Sequence, residues 1–223
     1  MTKNSTPLVS MIILNYNQIK VTCEFIESTK KLTYRNFEII LVDNASKENP
    51  TEIITSNYPD VKLIVTNENL GFTGGNNVGI KAAKGDFYFV VNNDTEVTED
   101  LLERLLEPFD TDQTIGVVSP KIRYFHNPNI LQYAGFTEIN PFTGRNKSIG
   151  DKEEDKGQHD EAGFTFYAHG AAMLLKREVV EKAGSLADIF FIYYEELDWS
   201  ARIRRAGYKI YYQPTALIYH KES

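Results

Sequence analysis

The chain has 223 residues, 42% of them hydrophobic and 25% charged, with a formal net charge of −7. That length suits one large domain with a substantial buried core, and the acidic balance excludes a broadly basic nucleic-acid-binding surface. A single cysteine, Cys23, excludes an intrachain disulfide and a cysteine-based metal cluster; it fits a reducing compartment and reads as a small core residue on a helix.

The opening MTKNSTPLVS lacks the apolar stretch of a signal peptide, and no run approaches the roughly 18 apolar residues of a spanning helix. The expectation is a cytoplasmic protein, with docking at the inner face of the membrane left open. LVSMIIL (8–14) reads as a buried strand, and Asn17 as the cap of a helix carrying Ile19, Cys23 and Ile26. FEIILVD (37–43) is a second strand, NPTEIITSNYP (49–59) a short helix and VKLIVTN (61–67) a third strand. TGGNNVGIKAAKG (73–85) is a helix stopped by Gly85, DFYFVVN (86–92) a fourth strand, and TEDLLERLLEPF (98–109) an amphipathic helix. This alternation predicts right-handed βαβ crossovers and a mainly parallel sheet. Residues 8–110 then form a nucleotide-binding half and 111–223 an acceptor and catalytic half of a single domain.

The second half is less regular. IGVVSPKIRYF (115–125) is a strand kinked at Pro120, and the charged, glycine-containing stretch 143–163 reads as a mobile loop. FTFYAHGAAMLLKR (164–177) predicts a strand, EVVEKAG (178–184) a helix, YEELDWSARIRRAG (194–207) a helix ended by Gly207, and YKIYYQP (208–214) a last strand. The chain stops soon after the apolar ALIYH, so the reading leaves open a continuation beyond Ser223.

Ligands on parallel sheets bind beyond the carboxyl ends of the strands. Three predicted tips are polar: Asn15, Tyr16 and Asn17; Asp43 and Asn44; and Asn92, Asn93 and Asp94. One such tip is an ordinary strand exit, and Asp94 also reads as a cap before the next helix. Three on one edge predict a site. No G-x-x-x-x-G-K-[ST] motif occurs, and NLGFTGGNNVGI is not a dinucleotide fingerprint after the first strand.

In order and spacing, VSMIILNYN, ILVDNAS, NLGFTGGNNVGI, VVNNDTEV, HGAAMLLKREVVEKAG, FFIYYEELDWSARIRRAGY and the terminal YH resemble family 2 glycosyltransferases of the GT-A fold, with rhamnosyltransferase-like members most similar. The resemblance implies an inverting transferase using Mg2+ or Mn2+ and a nucleotide-diphosphate sugar of the dTDP-rhamnose or UDP-hexose type. It implies a glycan or lipid-linked acceptor in cell-surface polysaccharide synthesis.

Residue by residue, it implies that Leu14, Asn15, Tyr16, Asp43, Asn76, Asn92, Asn93 and Asp94 contact the nucleotide. Tyr16 would stack on a pyrimidine and Asp43 would accept its N3–H; an Asx turn or helix cap is the other reading of Asp43. Many members carry arginine where Asn76 stands, and a D-x-D motif where this chain has Asn92, Asn93 and Asp94. The cation would rest on Asp94 and His220. Glu196 matches the family's catalytic base, although Glu195 and Asp198 share that helix start and all three also complement its dipole. His169 is an acceptor-pocket or core histidine. Competing readings are a nucleotidyltransferase, disfavoured by NYNQIK after the first strand, and an inactive nucleotide- or glycan-binding module.

Overall fold

Side chains of the first strand, β1 (Val9–Asn15), alternate between two cores. Val9, Met11 and Ile13 enter one, and Ile12 enters the other. A strand buried on both faces has no need of polar alternation, hence its continuous apolar run. These features come from a computed structural model that describes residues 6–222; the first five residues of the opening stretch lie outside it.

The chain continues through α1 (Ile19–Thr29), β2 (Phe37–Asp43), α2 (Thr51–Asn57), β3 (Lys62–Val65), α3 (Gly71–Ala82), β4 (Phe87–Val91), β5 (Thr95–Val97) and α4 (Leu101–Thr111). There follow β6 (Ile115–Tyr124), β7 (Leu131–Tyr133), β8 (Gly163–Thr165), β9 (Ala172–Lys176), α5 (Arg177–Ala183), α6 (Glu195–Arg205) and β10 (Lys209–His220). One sheet has the order β3-β2-β1-β4-β9-β6-β10-β5, with β7 on β6 and β8 on β10. β1 to β4 pair in parallel, as the alternating pattern predicts. β9 then inserts antiparallel between β4 and β6, so the sheet is mixed.

Helices α1 and α4 cover one face through Phe25, Leu101, Leu105 and Phe109. Helices α3, α5 and α6 cover the other through Ile80, Val179, Trp199 and Ile203. The α3 glycines permit close approach to β1: a Cβ on Gly75 would lie 2.3 Å from Leu14 Cδ1, and one on Gly79 would lie 2.4 Å from Ile12 Cγ2.

Several local expectations change. Asn17 does not cap α1; it has a φ of 55°, and Gln18 occupies the cap position. The predicted strand 164–177 is split into β8 and β9. β10 runs past Pro214 to His220, because a register shift opposite Pro120 and Gln213 absorbs the prolines that would otherwise interrupt the ladder. Stretch 143–163 is not a free loop: Asp155, buried within it, pairs with Lys121 at 3.1 Å and Arg123 at 2.5 Å, and Asp160 also meets Lys121. One of its charges, Asp155, serves a buried ion cluster, whereas Lys152, Glu153, Glu154, Lys156 and Glu161 are exposed as composition alone suggests. Among the described residues no helix is long and apolar enough to cross a membrane.

Candidate active site

The carboxyl ends of β1, β2 and β4 border a cleft of about 330 Å³, as parallel topology requires. Five of the sequence-predicted nucleotide contacts line it: Leu14, Tyr16, Asn92, Asn93 and Asp94. Tyr16 is 46% exposed, presenting an aromatic surface at the rim.

Asn15, Asp43 and Asn76 lie beneath the lining. Asn15 and Asp43 are register partners in β1 and β2, both with no exposed surface. Asn15 Nδ2 donates to Asp43 Oδ1 at 2.6 Å, Ser46 Oγ to the same oxygen at 2.6 Å, and Ser46 N to Oδ2 at 3.1 Å. Both carboxylate oxygens are thus engaged in a turn that clamps two strand tips. The arrangement extends sideways. Thr22 Oγ1 donates to Asn15 Oδ1 at 2.8 Å, and Asn93 Nδ2 donates to Thr22 Oγ1 at 2.9 Å. One hydrogen-bonded chain therefore ties the tips of β2, β1 and β4. Asn76 is buried on α3 with its amide donating to Phe72 O at 2.9 Å.

The wall opposite Tyr16 contains residues that the sequence did not single out as contacts. Asn44 holds the turn before α3, accepting from Leu70 N at 2.9 Å and donating to Asn69 Oδ1 at 2.8 Å and Gly71 O at 3.0 Å. Gly71 has a φ of 69°, and a Cβ there would lie 2.4 Å from Phe191 O. Only glycine fits that approach without strain. It lets Phe72 N donate to Phe191 O at 2.7 Å, which draws Phe191 and Ile192 into the cleft lining.

At the cleft edge, His220 Nε2 lies 3.0 Å from Asp94 Oδ1, a contact between residues 126 positions apart. Antiparallel pairing of β5 with β10 sets His220 against Thr95, and Lys221 N donates to Asp94 O at 2.8 Å. Both side chains are nearly buried. His220 Nδ1 is 2.8 Å from Gln132 Oε1 on β7. A carbonyl oxygen only accepts, so Nδ1 donates to Gln132, and Nε2 is the nitrogen that faces the carboxylate. A ring nitrogen and a carboxylate oxygen this close share either a proton or a metal ion. An imidazole nitrogen, a carboxylate and a second residue fixing the ring fit a divalent cation of the Mn2+ type. Among the described residues no group of three or more His, Cys, Asp or Glu gathers as a metal site, and this pair is the one that a cation at the cleft edge would meet.

Glu196 sits in the first turn of α6, after Tyr193 and Tyr194, which both have positive φ (73° and 70°). Gly170 is its neighbour, with a notional Cβ 4.0 Å from Glu196 Cβ and Cγ. Gly170 follows His169, whose ring centroid is 6.5 Å from that of His220. His169 is half-buried with its ring stacked on that of Phe136, and desolvation, then the nearby His220, lowers its pKa to about 3. Burial pushes the Glu196 carboxyl upward, and burial followed by the Glu196 charge does the same to Glu195. Asp198 instead pairs with Arg202 at 2.8 Å.

A model of the family described as glycosyl transferase family 2 matches residues 10–184. The chain belongs to glycosyl transferase family 2. That membership makes it a glycosyltransferase; the matched span holds Asp94 but ends before Glu196 and His220. Among curated relatives of this family 2 chain, an N-acetylglucosaminyl-diphospho-decaprenol L-rhamnosyltransferase of Mycobacterium tuberculosis is 22% identical over 238 residues, covering 98% of this chain and 77% of the relative. The low-salt glycan biosynthesis hexosyltransferase Agl10 of Haloferax volcanii is 28% identical, covering 91% and 63%. Among solved structures, GalNAc-T7 with UDP, GalNAc and Mn2+ superposes with a TM-score of 0.80 at 19% identity, over 96% of this chain and 43% of that one. The mannosyltransferase PcManGT from Pyrobaculum calidifontis, with GDP-Man and Mn2+, gives 0.71 at 18%, over 99% and 58%. These likenesses establish the GT-A fold.

Gln132 had no signal in the sequence, because only the pairing of β7 with β6 brings it to His220. Asn44 was visible as a polar strand tip, but its partners lie 25 or more residues downstream.

Proposed function

We propose that the chain is a metal-dependent, inverting glycosyltransferase. It takes a sugar from a nucleotide-diphosphate donor of the dTDP-rhamnose or UDP-hexose type and transfers it to a hydroxyl of a glycan or lipid-linked acceptor in cell-surface polysaccharide synthesis. The relatives' names support the donor and acceptor classes. The observation that carries the reading is the Asp94–His220 contact at the edge of a cleft lined by Tyr16, Asn92 and Asn93.

In this reading the base rests against Tyr16 and Leu14, and Asn92 and Asn93 meet the ribose or diphosphate. Asp94 and His220 hold Mg2+ or Mn2+, which when bound neutralises charge on the departing diphosphate. Gln132 keeps the His220 ring turned toward Asp94. Glu196 takes the proton of the attacking hydroxyl, and its partial burial makes it a stronger base than an exposed carboxylate. Asp43 acts through structure, holding Asn15 and the β2 turn beneath the nucleotide, rather than accepting the base N3–H.

The experiment is to incubate the protein with a panel of dTDP- and UDP-sugars and saccharide acceptors, with Mn2+ or EDTA, and to measure free nucleotide and glycosylated acceptor. Metal-dependent release coupled to acceptor modification is expected. Nucleotide binding without turnover on any donor would replace this reading with an inactive binding module.

A further inference from the structure

Away from the donor cleft, a larger cavity of about 770 Å³ opens between β8, the C-terminal end of α6 and the start of β10. Three cations line it, Arg204, Arg205 and Lys209, and no acidic residue does. This is unexpected for a chain of net charge −7. The cations are positioned largely by aromatic rings. The Arg204 guanidinium lies 4.6 Å from the Phe166 ring centroid, and Lys209 Nζ lies 4.6 Å from that of Phe164. A ring face holds a cation without consuming its N–H donors. The acids nearby reach only part of the array, with Glu138 at 3.6 Å from Arg204 and Asp112 at 3.1 Å from Lys209. Arg205 is exposed and has no acidic partner among the described residues.

We propose that this cavity is a second binding site, which takes a phosphate- or carboxylate-bearing saccharide. Its volume lies in the range of small-ligand sites, and it is concave, unlike a surface that lies flat on a membrane. Arg204 and Lys209 each lie over a face of Phe166 and Phe164, and so compete there with the base stacking used by single-strand nucleic-acid grooves. Preset guanidinium and ammonium donors suit phosphate or carboxylate oxygens. Helix α6 carries Glu196 in its first turn and Arg204 and Arg205 in its last, roughly 13 Å apart at the rise of an α-helix. The site is therefore placed to hold an anionic part of the acceptor some distance from the reacting hydroxyl. That assignment to the acceptor rests on the proposed function, whereas the binding itself does not.

The test is calorimetric titration of the whole chain at low salt with trigalacturonate, with maltotriose as the neutral counterpart. A dT12 oligonucleotide and vesicles of anionic phospholipid serve as the other two arms. Trigalacturonate should bind, maltotriose should not, and Arg205→Glu should weaken binding by about tenfold or more, because it reverses a charge that the anion meets. Arg205→Ala, at an exposed position, should weaken it in the same direction with an unchanged unfolding midpoint. The proposal is overturned if both variants bind as the parent does, if maltotriose binds equally, or if only the oligonucleotide or the vesicles bind. Separate titration with UDP and dTDP reports on the donor cleft: if trigalacturonate binds and neither nucleotide does, this site stands and the proposed function fails.

Discussion

Gln132 Oε1 lies 2.8 Å from His220 Nδ1, on the far side of the ring from Asp94. Nothing in the spacing of the two residues in sequence announces this pairing, and it fixes which nitrogen faces the carboxylate. Replacing Gln132 with alanine leaves the ring free to rotate and to change tautomer. Mn2+-dependent binding of UDP or dTDP should weaken about 10- to 100-fold, the usual effect of losing a group that orients a metal ligand. Binding measured in EDTA should not change. An equal loss in EDTA would assign Gln132 to packing instead.

Glu196→Gln should leave nucleotide affinity intact and lower kcat by roughly 10²- to 10⁴-fold, the contribution of a positioned general base. The pH dependence follows from its raised pKa. A base works when deprotonated, so kcat should fall as pH drops through that value, at a higher pH than for an ordinary exposed carboxylate. The variant should lose this acidic limb. A kcat unaffected by the substitution would remove Glu196 from the chemistry.

Asp43→Ala leaves the donor of the fully buried Asn15 and those of the half-buried Ser46 without their acceptor. Each buried group left unsatisfied costs about 1–3 kcal/mol, so the unfolding midpoint should drop by several degrees. Asn92→Ala, on the cleft surface, should change the midpoint far less. If Asp43→Ala kept the parent's stability and lost only nucleotide binding, Asp43 would be a base contact after all.

Asp43 shows where sequence reading runs out. The strands were legible, because runs such as Val9–Leu14 and Phe87–Val91 declare burial on both faces. The polar strand tips were legible as a group for the same topological reason. Which tip residue faces the ligand depends on one step of the pleat and on the turn that follows. At the end of β2, Asp43 turns toward Asn15 and Asn44 toward the α3 turn, and no residue pattern distinguishes the two. The split of 164–177 and the insertion of β9 were equally hidden, since antiparallel and parallel buried strands share the same apolar composition.

Gly71→Ala places a Cβ against the Phe191 carbonyl and forces a non-glycine residue to a φ of 69°. Left-handed backbone alone costs about 1–2 kcal/mol. Because relief of the clash moves Phe191 and Ile192 out of the lining, the donor KM should rise along with the loss of stability. Urea unfolding and donor kinetics measure the two effects; a loss of stability with an unchanged donor KM would show that this wall does not touch the donor.

Stretch 143–163 should behave as folded structure. Burial raises the Asp155 pKa, but hydrogen bonds from Arg123, Gly157 N and Lys121 outweigh it and bring it to about 2. A depressed carboxylate contributes stability above its unfolded value of about 3.9, lost as pH falls toward about 2. Asp155→Asn removes half of a buried pair, which costs about 3 kcal/mol or more when the partner stays charged. Hydrogen exchange of residues 150–160 should be slow in the parent at neutral pH and fast in the variant. Fast exchange in both would return this stretch to a mobile loop.

The central claim is that Asp94 and His220 together hold the cation against the donor diphosphate. Its most direct test is titration of UDP and dTDP into the parent, Asp94→Ala and His220→Ala, each with Mn2+ and with EDTA. Mn2+ should strengthen nucleotide binding to the parent, and both substitutions should abolish that gain while leaving the weaker metal-free binding in place. A gain from Mn2+ that survives in both variants would contradict the account.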